Sequence, residues 1–118
     1  MADKKPTKAQ VAEFEMLWPI LKKLLYETKE LSKKKPDSPL NKLKVGMVNK
    51  VLESLKAILS NEPIVQYLEQ LDNETLPTNS DAVFIIAQYD AAMEQYKKGH
   101  YDYGDEDDEY GKQWLTSD

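Results

Sequence analysis

Apolar residues along the chain recur at helical spacing, and one stretch departs from that rule. Ala82, Val83, Phe84, Ile85, Ile86 and Ala87 form the longest uninterrupted apolar run. A helix that is apolar on all sides is buried rather than laid on a surface. The β-branched residues would also suit a buried strand, which periodicity alone does not separate from a helix. Asn79, Ser80 and Asp81 ahead of the run form an N-capping cluster with a carboxylate at the positive end of the helix dipole. Good helix formers follow at Ala91, Ala92, Met93, Glu94 and Gln95, and Lys97, Lys98 and Gly99 read as a charged last turn and a terminal glycine. The pattern predicts a central helix from about Ser80 to Tyr96.

Around it the apolar positions keep three-four spacing. Phe14, Leu17, Trp18, Leu21, Leu24, Leu25 and Leu31 predict a helix from the cap Thr7 to about Leu31. Pro19 falls inside it, but the stripe stays in phase on both sides, so one helix kinked at the proline is expected. Residues 32–39 are a lysine- and proline-rich loop, after which Ser38 and Pro39 look like the start of a second helix. Leu40, Leu43, Met47, Val48, Val51, Leu52, Leu55, Ile58 and Leu59 form its broad apolar face. A short helix over 63–71 and a turn-rich connection over 72–81, anchored by Leu76, complete an expected all-α bundle of four helices over residues 1–100. Residues 1–7 read as a frayed arm, and 101–118 as an acidic tail, either flexible or docked.

Composition narrows the class. At 118 residues the chain makes one domain with a real core, and no apolar run approaches the roughly 20 residues that span a bilayer. The first residues lack the apolar core of a secretory signal, and cysteine is absent, so a cytoplasmic protein without disulfide or thiolate chemistry is expected. Residues 1–61 hold 13 lysines against seven acids, and residues 62–118 three lysines against 14 acids, within a net charge of −5. Every basic residue is lysine, which removes the bidentate fork that reads guanine and argues against sequence-specific nucleic-acid binding. Opposite-sign halves suit an internal contact or head-to-tail association.

The tail carries the densest chemistry. Asp105, Glu106, Asp107, Asp108 and Glu109 are five consecutive carboxylates, flanked by Tyr101, Tyr103 and Tyr110 and followed by Trp114 and Leu115. Such a run repels itself and reads as a solvated arm. Tyrosine and tryptophan are typical of binding anchors, and Trp114 with Leu115 would dock on the protein's own body or insert into a partner. As a calcium loop the run fails, because glycine and the distal glutamate cannot both fall in place. No Glu-x-x-His pattern of a diiron bundle occurs, so no metal and no cofactor are expected. The four glycines make no nucleotide-binding loop. His100, the only histidine, reads as a surface or helix-terminus residue. Asp90, in the most apolar helix, needs a partner if it is buried, and a lysine would serve. Lys33, Lys34, Lys35, Lys42 and Lys44 form a local basic patch without the aromatics that stack bases.

These features point to a non-enzymatic interaction module. Its acidic and aromatic arm would bind the basic surface of a protein partner, as an immunity- or antitoxin-type protein does, with no membrane or specific nucleic-acid target. The rival readings are a structural subunit or homodimer joined through helix faces and, more distantly, a helical-bundle enzyme around Asp90.

Overall fold

The computed structural model describes residues 5–104 and 112–118. Helix α1 (Lys8–Lys34) begins with a capping box: Thr7 Oγ1 accepts from the Gln10 backbone, and the Gln10 side chain accepts from the Thr7 backbone. Phe14, Leu17, Leu21, Leu25 and Thr28 are its buried stripe. The helix continues through Pro19, which lies on the exposed side. Helix α2 (Lys42–Ile58) starts later than its sequence suggests, with Asn41 as cap, its side chain accepting from the Lys44 backbone. Ser38 and Pro39 are used otherwise. Pro39 pairs with Thr78 in an isolated bridge, and Ser38 and Pro36 carbonyls accept from the Asn79 and Ser80 backbones. The α1–α2 loop thus satisfies N–H groups that the first turn of the last helix would leave without partners.

That last helix, α3 (Asn79–His100), is capped by Thr78 rather than by the cluster that follows it. It passes through Gly99, where no left-handed terminus forms. α1 packs mainly on α3, and the two run antiparallel: Phe14 meets Tyr96 at one end, and the Lys35 carbonyl accepts from Asn79 Nδ2 at the other.

The expected helix over 63–71 is replaced by a 3₁₀-helix (Pro63–Tyr67) and extended chain beyond it. The reason is visible in two side chains. Asn49 of α2 grips the Leu71 peptide on both sides, donating to its carbonyl at 2.8 Å and accepting from its N–H at 2.9 Å. Tyr89 of α3 donates to the Glu69 carbonyl at 2.9 Å. These bonds take up backbone groups that a helix would use itself. Leu68 and Leu71 are buried beneath this strap. Among the described residues the architecture is therefore three α-helices and a strap, with the strap returning the chain where a fourth helix was expected.

Two apolar faces are wider than the core they meet. Leu43 and Met47 of α2 and Phe84 of α3 are exposed, although their sequence pattern assigns them to buried faces. Phe84 corrects the expectation of a helix buried on all sides, since only part of the strap covers that face.

Candidate functional site

Past α3 the chain turns into a short hairpin. Strand β1 (Tyr101–Asp102) pairs antiparallel with β2 (Gln113–Trp114), with Tyr101 opposite Trp114 and Asp102 opposite Gln113. Gly104 adopts φ 66°, and its N–H donates to Asp102 Oδ1 at 2.8 Å, turning the chain away from the strand. The run Asp105–Glu109 and Tyr110 lie outside the described residues. The chain on either side of them, at Gly104 and Lys112, is described and lies at one end of the paired strands.

Trp114 fastens the hairpin to the helices. Its ring meets Phe14 edge-on at 5.0 Å, Tyr101 at 5.6 Å and Tyr96 at 6.3 Å between centroids. Its Nε1–H donates to Glu15 Oε1 at 2.7 Å, and the Lys97 ammonium lies over the Tyr101 and Trp114 rings. Beyond it, the Leu115 N–H donates to the His100 carbonyl and the Ser117 N–H to the Pro6 carbonyl. Asp118 Oδ1 accepts from the Lys8 backbone at 2.8 Å, placing a carboxylate at the start of α1, which has no acid in its own first turn. Residues 5–7 are accordingly held, with Pro6 buried, where a frayed arm was expected. Of the anchors named from sequence, Tyr101 and Trp114 join this cluster, and Tyr103 packs edge-on against Tyr101 at 4.8 Å while staying 52% exposed; Leu115 is 39% exposed.

Behind the hairpin sits His100, buried rather than at the surface. Its ring packs on Tyr96, and Nε2 is 3.7 Å from Glu62 Oε2. Burial, with the Glu62 charge adding to it, pushes the Tyr96 phenol up to about 12. Tyr89 is likewise raised to about 12, by burial first and Glu69 second. Asp90 does have its lysine, Lys22 at 3.3 Å, and a stronger partner in Trp18, whose Nε1–H donates to the same oxygen at 2.8 Å. Among the described residues no group of three His, Cys, Asp or Glu side chains could hold a metal ion.

The basic residues lie at the opposite end of α1. Lys33 pairs with Glu30 at 2.9 Å, which lowers the Glu30 carboxyl and raises the Lys33 ammonium from their usual values. Lys34 and Lys44 border a groove of about 480 Å³ between α1 and α2, whose floor includes Leu24, Leu31, Leu40 and Val48. Lys35 and Lys42 are exposed nearby in sequence. A second hollow, about 720 Å³, lies between the strap and α3, with Tyr67, Phe84, Glu69, Asp72 and Asp81 around it. Asp72 is turned inward on its own loop: the Glu74 and Thr75 N–H groups donate to it and hold its carboxyl below the usual range.

No protein-family model, curated protein or solved structure matches the chain. Function therefore rests on these arrangements alone.

Proposed function

We propose that the protein is a non-enzymatic, cytoplasmic binding module whose acidic C-terminal segment engages a basic surface on a protein partner, as immunity and antitoxin proteins do. The observation that carries this reading is the docked hairpin. Five carboxylates connect two strands that are paired with each other and fastened to both long helices through Trp114. Attaching a charged loop at two fixed points lowers the ordering cost of binding compared with a free tail. In this reading Trp114 is the fastening, and Tyr103, held on one side by the Tyr101 ring and half-exposed on the other, offers its open face to the partner. The carboxylates supply long-range steering.

Truncation is a poor test, because it removes Trp114 from the Phe14–Tyr96 cluster along with the charge. The better comparison is between the native chain and one carrying Asp105→Asn, Glu106→Gln, Asp107→Asn, Asp108→Asn and Glu109→Gln, each used to capture proteins from the host lysate. A basic partner retained by the native chain, released by salt and lost by the neutral variant supports the reading. Equal capture by both chains overturns it and moves binding onto the helix faces.

A further inference from the structure

Leu43 and Met47 are 75% and 56% exposed on the outer edge of the α1–α2 groove, on a helix whose Val45 and Val48 are buried. Together with Leu24, Leu31, Leu40 and Val48 they form an apolar channel between α1 and α2. The groove lining on α1 begins at Leu24. Met16 and Ile20, themselves exposed, stand eight and four residues before Leu24 on the same side of α1. An elongated strip bounded by two helices has the shape that accepts a third helix by its apolar face. An enclosed small-molecule pocket would bury about 70–90% of its ligand, which walls this exposed do not do.

Charge gives the occupant its sign and direction. Glu30 on the rim is already paired with Lys33, so the mouth at the end of α1 takes its field from Lys34 and Lys44, with Lys35 and Lys42 exposed close by in the chain. Glu27 stands two turns away, about 10 Å along α1. We infer that the α1–α2 groove docks an amphipathic helix of a partner protein, with acidic residues of that helix meeting Lys34 and Lys44. This site is separate from the C-terminal hairpin and stands whether or not the hairpin binds a basic surface.

The probe is a synthetic amphipathic peptide of about 18 residues, five turns, with leucines on one face and glutamates on the other. It is compared with a twin carrying lysine for glutamate and followed by NMR on the full chain. The acidic peptide should shift resonances of Leu31, Leu43 and Met47. Lys34→Glu with Lys44→Glu should weaken it about tenfold or more, and Leu43→Gln with Met47→Gln should abolish binding. All four residues are exposed, so circular dichroism and melting of both variants should match the native chain. Equal binding of the lysine twin, or no shift at the groove, overturns the inference. So do shifts that appear on raising protein concentration alone, which assign the groove to a second copy, or shifts produced by dodecanoate in place of the peptide.

Discussion

Trp114 is held by two unlike interactions, ring contacts with Phe14, Tyr96 and Tyr101 and one hydrogen bond to a charged oxygen of Glu15. They can be separated. Trp114→Phe keeps much of the packing and loses the bond, and should lower stability by about 1–2 kcal/mol. Trp114→Ala loses both, about 3 kcal/mol, in urea denaturation. Asn49 concentrates more in one side chain, since its amide replaces the strand neighbour that the Leu71 peptide lacks. Asn49→Ala leaves a donor and an acceptor without partners and should cost about 2 kcal/mol. Tyr89 and Tyr96 make alkaline stability a residue-scale property. Their folded values near 12 exceed the ordinary 10.0, so the neutral phenol is favoured in the fold. The stability they contribute is complete below pH 10 and is lost as pH rises toward about 12. Ionisation of Tyr89 and Tyr96, followed by their own ring NMR signals, and loss of helical circular dichroism should therefore advance together across that window, and ionisation of both phenols in a chain still fully folded at pH 10 would contradict the assignment.

At the scale of elements, local rules explain the helices and leave the strap unexplained. Phe14, Leu17, Leu21 and Leu25 are buried as their spacing requires. Two helix-disfavouring residues sit within helices without a packing reason. A Cβ on Gly46 would meet nothing within 4 Å, which excludes a close helix crossing there, and Pro19 is exposed. Gly46→Ala should stabilise by about 1 kcal/mol and Pro19→Ala by about 1–3 kcal/mol, read as a higher melting temperature. The strap was hidden because its cause is distant. Ile64, Val65, Leu68 and Leu71 have helical spacing, and only Asn49 and Tyr89, far along the chain, take their backbone groups. His100 does end α3, as its position suggests, but it is buried there because Glu62, Tyr96 and the following hairpin enclose it. For the candidate site, the residue types in the tail were legible and docking of Trp114 on the body was one of two alternatives; the residues it docks on were not legible. Nothing local in Trp114 announces Glu15, 99 positions earlier. The exposed Leu43 and Met47 were read as core because a broad apolar stripe looks the same whether the chain or a partner covers it.

Over the whole molecule, the chain is drawn out to 48 Å in its longest dimension, close to the roughly 40 Å expected of α1 alone. Each end of that axis has its own chemistry. The start of α1, the end of α3 and the hairpin share an aromatic cluster, and the lysines of the α1–α2 turn stand at the other end. The C-terminal residues belong to the first end as structure, through backbone bonds to His100 and Pro6 and the Asp118 contact with Lys8. The proposed binding role depends on this attachment, because it rests on Tyr101–Asp102 and Gln113–Trp114 being paired and fastened to the helices. Amide hydrogen exchange at Leu115 and Ser117 tests it most directly. The docked arrangement predicts exchange slowed on the order of 10³-fold or more relative to an unstructured chain, together with slowing at Phe14 and Tyr96. Exchange at unstructured rates at Leu115 and Ser117, while α1 and α3 remain protected, would contradict it and return residues 101–118 to the status of a free tail.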